Sequence, residues 1–382
     1  MSRFYMIIAG YWKKPVTSNK VFQSWYQTYS ICMQAGYPVF DLLLIVELIR
    51  LIVQKYDPPI VISSMGVAVN ATKITVKILI FNNNNILDLY GLIERYEQEI
   101  WTCTSMKLKQ AYGGHIKRCE RMMLSLLTTT ILSVAFLDIL GVLRDIQLIQ
   151  HSNKSNVTME SHNLYQFYFP GKKLDHLVWT YAINSFATFD SIMYNTVTHT
   201  IVTTLFAFSA AQMNILGMQI GDLQFKNMDP RERASILQKL CKKHDELICF
   251  VKRLNEKTKI VLLMEFVLSS MDMSSVAVNI AKKSSTIEVL LNLTFFSLLC
   301  TQLYILTSTA DNIKFQSELI AEKIYETDWD ELGKNGRFHV RFLIMRAQRP
   351  STVKIGLFGP MTLSTAMTMM KFAYSYVSIM ME

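Results

Sequence analysis

The sequence predicts an all-α membrane protein with seven transmembrane helices, its amino terminus in the cytosol and its carboxy terminus outside. Hydrophobic residues make up 51% of the chain and charged residues only 18%, whereas soluble domains carry about a quarter charged residues. The apolar residues gather in long blocks, each able to form the helix of roughly 20 residues that crosses a bilayer. The Lys and Arg residues lie between these blocks rather than on one face. The net charge of +9 therefore indicates membrane topology and not nucleic-acid binding.

Seven spans follow one another along the chain, with boundaries set to within about two to four residues. The fourth is the least uniform, because Asn184, Asp190, Asn195 and His199 interrupt it. The apolar run that precedes the first span is short, ends at two lysines and a proline, and lacks a small-residue cleavage site. We therefore expect no signal peptide and a cytosolic start. The spans cover residues 27–53, 60–81, 122–147, 179–213, 260–281, 286–308 and 358–381.

The distribution of basic residues predicts the orientation of the spans. With the amino terminus inside, the cytosolic segments are the residues before the first span, 82–121, 217–259 and 311–354. These segments hold roughly 28 Lys and Arg residues, and the outer segments 54–60, 148–178 and 282–285 hold roughly 6. Because cytosolic loops of membrane proteins are enriched in Lys and Arg, this bias places the carboxy terminus outside.

Glycosylation sequons and cysteines agree with this orientation. Asn153 and Asn156 head two sequons in the segment 148–178 that the topology places outside. The sequons at Asn70 and Asn292 lie inside predicted spans, so we expect them to be unused. No cysteine lies in an outer loop, so no extracellular disulfide is available. The six cysteines are Cys32, Cys103, Cys119, Cys241, Cys249 and Cys300.

The cytosolic stretch 228–258 is predicted to be helical. Asp229 caps it and Pro230 occupies its first turn. Apolar residues and one histidine then recur at helical spacing, which favours packing against neighbouring helices and offers a place for subunits to meet. These residues are Ile236, Leu240, His244, Leu247, Val251 and Leu254.

The last span carries a polar stripe. Its members recur every three or four residues and so share one helix face: Ser364 or Thr365, Thr368, Lys371, Ser375, Ser378 and Glu382. In one interpretation these small residues pack against other helices of the same chain. In the other, the stripe lines a water-filled path where several subunits meet. Ile379 lies beside the stripe near its outer end, where an apolar ring closes a pore by dewetting.

The carboxy-terminal third resembles the signature of insect odorant receptors. The resemblance lies in SELIAEKIYETDW (317–329), LIMRAQRP (343–350) and LFGPMTLSTAMTMMKFAYSYV (357–377). His244 in the cytosolic stretch and FYFPG (167–171) before the fourth span are also similar to that family. Gustatory receptors end in a Thr-Tyr, five apolar residues, Gln-Phe pattern, whereas this chain has Ser375-Tyr376 and ends at Glu382, which favours the odorant branch.

The resemblance implies an odorant-gated, non-selective cation channel that assembles with a co-receptor as a heterotetramer. It implies that Ile379 is the apolar gate and that Ser375 and Glu382 face the pore. The chain lacks the co-receptor's enlarged second cytosolic loop, so it resembles a ligand-tuning subunit. The resemblance also implies the plasma membrane of an olfactory sensory neuron dendrite.

A single seven-span domain over residues 1–382 is expected to divide by role. Spans one to four, over 27–213, form the ligand-binding side, and spans five and six cover 260–308. A cytosolic helical segment covers 214–259, a cytosolic anchor helix with its connection covers 309–354, and the pore-lining span covers 355–382.

A small volatile ligand requires a mostly apolar cavity with one polar group for orientation. Asn70, Thr294 or Tyr194 is the candidate polar group. The apolar candidates lie in the outer halves of four spans and are Met65, Val69, Phe136, Ile139, Phe186, Phe189, Met193, Leu291, Phe295 and Phe296.

Charged residues inside the spans are expected to face the bundle or to pair with each other. Lys73 and Lys77 lie one turn apart, so we expect them to meet Asp41 or Asp138. The remaining intramembrane charges are Glu47, Asp190, Glu265, Asp272 and Glu288.

Several other classes of protein are disfavoured by what the sequence lacks. No HExxH, Gly-rich phosphate loop or Cys-x-x-Cys pair occurs, so we predict neither an enzyme nor a cofactor or metal site. No inverted repeat is evident, which disfavours a secondary transporter. A metabotropic seven-span receptor and a gustatory-type channel stay as alternatives.

Overall fold

The computed structural model describes residues 2–12, 15, 19–56, 58–83, 86, 88–155, 168, 177–281 and 286–381. Within them the fold is helical, and two residues, Lys354 and Pro360, form an isolated β-bridge. The helices are α1 (Ser2–Ile8), α2 (Lys20–Val53), α3 (Pro58–Asn83), α4 (Asp88–Thr102), α5 (Met106–Ser155), α6 (Leu177–Gly221), α7 (Pro230–Ala281), α8 (Thr286–Tyr325), α9 (Lys334–Ala347) and α10 (Leu363–Met381). The predicted all-α class is confirmed.

Five helical stretches in the described residues are long and apolar enough to cross a membrane. They are Ser64–Asn83, Met106–Phe136, Ala182–Gly221, Arg231–Val278 and Val289–Tyr325. They lie in α3, α5, α6, α7 and α8, at the second to sixth predicted spans. Helices α2 and α10 occupy the predicted first and last spans, and the count of seven spans stays a prediction.

Several helices continue well beyond the predicted spans. Helix α7 begins at Pro230, as its capping pattern predicted, and runs without a break through the fifth span to Ala281. Helix α8 likewise extends the sixth span to Tyr325. The predicted spans end where apolar side chains give way to charged ones. Helical hydrogen bonds join backbone groups and do not depend on the polarity of the side chains, so one helix can continue from an apolar half into a charged half.

Helix α6 lies at the centre of the bundle. It packs along α8 and also contacts α1, α2, α3, α5 and α7. Its inward residues Val197, Ile201 and Leu205 are fully buried in the main hydrophobic core. A helix that is surrounded in this way buries polar as well as apolar side chains, which explains why the fourth span is the least uniform in sequence.

The short segment 2–12 folds back into the bundle instead of lying apart from it. Tyr11 is buried, and its ring lies 5.7 Å from that of Tyr194 on α6 and 6.0 Å from that of Phe81 on α3. The carbonyl oxygen of Gly10, whose φ is +71°, accepts a hydrogen bond from Gln34 of α2 at 2.6 Å. The segment is therefore part of the core.

A tight turn leads from α9 into α10. The amide of Met361 donates to the carbonyl of Val353 at 2.7 Å, and that of Ile355 donates to Gly359 at 2.8 Å. Gly356 and Gly359 have φ values of +48° and +95°, which side chains other than glycine rarely adopt. The turn sets the position and direction in which α10 begins.

Candidate functional site

The polar stripe of α10 faces away from its own chain. Ser364, Thr368, Lys371, Ser375 and Ser378 are all exposed. The hydroxyl of Ser375 donates to the carbonyl of Lys371 at 3.0 Å, and that of Thr368 donates to the carbonyl of Ser364 at 3.0 Å, whereas the charged end of Lys371 extends from the same face. The interpretation that the stripe packs against other helices of the same chain is therefore wrong.

The opposite face of α10 fastens the helix to the bundle. Ala366 and Met369 are buried in a second core cluster with Met273 of α7 and Leu299 of α8. Thr362 caps the helix, since its hydroxyl oxygen accepts the amide hydrogen of Thr365 at 3.3 Å. Helix α10 thus has an apolar inner face, and its exposed surface carries the polar stripe together with apolar residues such as Met367 and Phe372.

The side chains of two of the three predicted pore residues, Ile379 and Glu382, lie outside the described residues. Ile379 lies on α10, which ends at Met381, but its side chain is outside the described residues, as is the whole of Glu382. Asn153 lies in the last turn of α5 with its side chain outside them, and Asn156 is outside them altogether. The pore and glycosylation assignments stay predictions.

The candidate ligand residues differ in burial. Met65 and Val69 of α3, Ile139 of α5, and Phe186 and Phe189 of α6 are exposed on the single chain. The others are half-buried: Met193 packs on the main core, Phe295 and Phe296 pack on the second cluster, and Phe136 and Leu291 contribute partly covered surface. Each of these assignments stays a prediction.

The three candidate polar groups for ligand orientation all have contacts within the chain. Asn70 donates to Asp272 at 3.3 Å, and the carbonyl of Thr294 accepts from Ser133 of α5 at 3.0 Å. Tyr194 is fully buried, with rings of Tyr11 and Tyr37 on either side. Tyr194 therefore lies deeper in the bundle than the sequence implied.

A buried ionic network joins α3, α6 and α7. Lys77 of α3 forms an ion pair with Glu265 of α7 and donates to Asn195 of α6 at 2.9 Å. Glu265 also contacts His199 of α6 at 3.2 Å. One turn further along, Lys73 approaches Asp272 at 3.6 Å.

The expected pairing of Lys73 and Lys77 with Asp41 is wrong, and the alternative pairing with Asp138 stays a prediction. Asp41 instead accepts a hydrogen bond from Thr72 at 3.1 Å, and the side chain of Asp138 is outside the described residues. The lysines turn toward α7 because α3 packs on that helix as well as on α2. The signal available in the sequence was that each pair recurs at a helical repeat, four residues for the lysines and seven for the carboxylates Glu265 and Asp272, so each pair shares one helix face.

Two small cavities flank this network. One is lined by His199, Glu265 and Ser269 and reaches Met361 at the end of the turn before α10. The other is lined by Lys77, Thr198 and Glu265. Each has a volume of about 10 Å³, room for about one water molecule. The network therefore lies beside the start of α10, next to cavities that can each hold a water molecule.

The amino-terminal half of α7 carries a buried histidine. His244 is almost fully covered, and burial together with the charge of Arg346 on α9 lowers the pKa of its imidazole to about 4. Val251 and Leu254 on the same stripe are also buried in the main core. The stripe predicted over 236–254 thus packs against its own chain, and His244 is neutral there at physiological pH.

No group of three His, Cys, Asp or Glu residues in the described parts of the chain is arranged to hold a metal ion. All six cysteines are unpaired. In the described residues, the features of the candidate site are therefore packed helices, the buried ionic network and the exposed polar stripe of α10.

Comparison with known proteins agrees with this architecture. The family model described as 7tm Odorant receptor matches residues 57–374, most of the chain. Odorant receptor 13a of Drosophila melanogaster is 23% identical over 312 residues, which cover 76% of this chain and 72% of that protein. Odorant receptor 67c of the same species is 22% identical over 44% of this chain and 41% of its own length. The alignment with this second relative thus spans only about two fifths of that protein.

The solved structures show the same fold over the whole chain. The insect olfactory receptor OR5 from Machilis hrabei, solved in complex with eugenol, superposes with a TM-score of 0.82. The match covers 100% of this chain and 96% of that chain at 15% identity. The family consists of transmembrane receptors for olfaction rather than enzymes. Since the family model covers most of its length, this chain belongs to the insect odorant receptor family of multi-span membrane proteins.

Proposed function

We propose that the chain is the ligand-tuning subunit of an odorant-gated, non-selective cation channel that assembles with a co-receptor. The observation that carries this proposal is the outward polar stripe of α10, whose members Ser364, Thr368 and Ser375 are exposed on the single chain. A polar face is costly against lipid, so it requires a partner subunit or water. When several subunits place this helix around a common axis, the polar face contacts the neighbouring subunits and the water between them.

A second exposed stripe supports assembly with other subunits. On α9, Phe338, Phe342 and Met345 lie at helical spacing and are all exposed, whereas Val340 and Leu343 on the other face are buried. This helix belongs to the segment that we place in the cytosol, where no lipid covers apolar surface. Contiguous apolar surface of this kind marks a protein–protein contact.

The orientation in this proposal has its amino terminus in the cytosol and its carboxy terminus outside, at the plasma membrane. The excess of Lys and Arg in the proposed cytosolic segments supports it. In this arrangement a volatile ligand binds among the outer halves of the second to sixth spans and displaces helices that contact α10. The path then widens at Ile379.

The proposal is tested by recording currents from oocytes that express the chain with and without an insect co-receptor. We expect odorant-evoked current only when both chains are present. Ser375→Cys should then make the current sensitive to a charged thiol reagent applied from outside. Met369→Cys, on the buried face of the same helix, is the matched control and should leave the current insensitive.

Three results would contradict the proposal. One is modification of the Met369→Cys channel to the same extent as the Ser375→Cys channel. Another is a carboxy-terminal tag that is labelled only after permeabilisation, which would favour the metabotropic arrangement. The third is an unchanged baseline current in Ile379→Ala, because removal of an apolar gate should raise leak.

A further inference from the structure

Lys371 is the one charged side chain of α10 within the residues that the structure describes. It is exposed on the single chain and lies midway along the polar stripe, between Thr368 and Ser375. At about 100° per residue, its direction from the helix axis is about 170° away from the mean direction of the buried residues Ala366 and Met369. Lys371 therefore points away from its own bundle.

Apolar side chains border the polar stripe on both sides. Met367 and Tyr374 are exposed on one flank, and Phe372 is exposed on the other. A helix in a ring of subunits contacts one neighbour on each flank, and the strip between the flanks faces the common axis. Two apolar flanks around a narrow polar strip fit that geometry, and Lys371 lies in the strip.

The ammonium group of Lys371 has no counter-ion within the described chain. Helix α10 contains no Asp or Glu, and none of the ion pairs among the described residues includes Lys371. The helix runs from Leu363 to Met381, so Lys371 lies about 12 Å from its start and about 15 Å from its end. A charged group this far inside a membrane span requires water or a carboxylate. The described chain supplies no carboxylate, which favours water.

We propose that Lys371 projects into the ion path and discriminates between permeating cations by their charge. Its side chain leans toward the start of the helix, which the proposed orientation places in the cytosol, so the ammonium group lies on the cytosolic side of the gate at Ile379. A positive charge there repels every cation, and it repels a divalent ion twice as strongly as a monovalent ion. The inference rests on the proposed function and deepens it, because it names the residue by which this subunit lowers the ratio of Ca²⁺ to Na⁺ that the channel passes.

The size of the effect follows from Coulomb's law. A unit charge about 7 Å from an ion in water lowers the local concentration of a monovalent cation about threefold and that of a divalent cation about sevenfold. The ratio of Ca²⁺ to Na⁺ therefore falls about twofold to threefold at low ionic strength, and about 1.5-fold when physiological salt screens the charge. Both ions still pass, as the proposed non-selective channel requires.

The test is the reversal potential of the odorant-evoked current in inside-out patches from cells that express the chain with an insect co-receptor, with Ca²⁺ exchanged for Na⁺ on one side. Lys371→Gln should raise the ratio of Ca²⁺ to Na⁺ permeability about twofold to threefold at low ionic strength, and Lys371→Arg should keep the wild-type ratio. Lys107→Gln is the matched control, because it removes the same charge from an exposed site on α5, and it should also keep that ratio.

Three results overturn the proposal. One is an unchanged permeability ratio in Lys371→Gln. Another is the same change in Lys371→Arg, which keeps the charge. The third is the same change in Lys107→Gln.

Lys371→Cys separates charge from structure within one assembled channel. A positively charged thiol reagent applied from the cytosolic side should return the permeability ratio to the wild-type value, and a negatively charged reagent should raise it further. The wild-type chain treated with the same reagents is the control, since Cys32 and Cys249 are exposed. A shift in the same direction with both reagents overturns the proposal. So does loss of the co-receptor-dependent current in every neutral variant, which would mean that Lys371 pairs with a carboxylate of a partner subunit instead.

Failure of this inference is distinct from failure of the proposed function. Odorant-evoked current whose permeability ratio does not depend on the charge at Lys371 leaves the channel function standing and removes only this role. Absence of current from the wild-type chain with the co-receptor removes the channel function, and this role with it.

Discussion

The ion pair between Lys77 and Glu265 offers the sharpest test of how the bundle is held together. The two side chains are 2% and 8% exposed. Removal of one partner from a buried pair leaves an uncompensated charge and costs about 3–5 kcal/mol, whereas replacement of both by apolar residues of similar size is often close to neutral. The structure predicts where within that range each single substitution falls.

Lys77→Met should cost less than Glu265→Leu. After Lys77→Met, Glu265 keeps His199 at 3.2 Å and the hydroxyl of Ser269 at 3.2 Å, so we expect a loss of about 3 kcal/mol. After Glu265→Leu, Lys77 keeps only the neutral Asn195 among the contacts that the structure describes, and the charge of Lys73 repels it. That loss should approach about 5 kcal/mol.

The assay is a double-mutant cycle on the free energy of unfolding of the purified chain. The double variant should lie within about 1 kcal/mol of the wild type, which corresponds to a large coupling energy. The exposed pair of Lys107 and Asp222, with side chains 61% and 51% exposed, is the control and should couple by less than about 1 kcal/mol. Additive effects at Lys77 and Glu265 would refute the reasoning, as would a coupling no larger than that of the exposed pair.

Three further perturbations test other parts of the fold by thermal unfolding. Gly359→Ala should lower the free energy of unfolding by about 1 kcal/mol through its positive φ alone, because the space around a Cβ there is empty. Gly356→Ala should lower it further, since its Cβ would lie 3.2 Å from the side chain of Leu263. The opposite order of the two variants would contradict this. The free energy of unfolding should fall as the pH drops from about 6.5 toward 4, because His244 binds a proton in the unfolded chain but stays neutral when buried. The total loss from this residue is about 3 kcal/mol, and His244→Gln should reduce the pH dependence by that amount. Asp328→Ala should cost about 1–2 kcal/mol, since its carboxylate accepts the amides of Phe225 and Lys226 at 2.8 Å each; an unchanged stability would count against that role.

Much of the helical framework is visible in the sequence, because apolar blocks and capping residues act locally. The start of α7 at Pro230 is an example, as is the stripe along α10. The sequence does not predict as well which face of each helix is buried. On α6 the aromatic residues Phe186 and Phe189 point outward, and the buried face carries Asp190, because neighbours on every side decide burial there.

Partner choice between helices is also beyond the sequence. Lys73 and Lys77 find carboxylates on α7, nearly two hundred residues away along the chain, and no local pattern encodes which helices are adjacent. The segment 2–12 shows the same limit. Nothing in its composition indicated that Tyr11 packs between α3 and α6.

Helix α7 is one uninterrupted rod of 52 residues, about 78 Å long at 1.5 Å per residue. After its opening Pro230 it contains no glycine or proline, the residues at which long helices usually kink. It contacts α10 near one end and α9 near the other. A tilt imposed at one end of such a rod reappears, reversed in direction, at the far end when the helix pivots between them. A kink engineered near Lys257 would then uncouple the two ends without touching either.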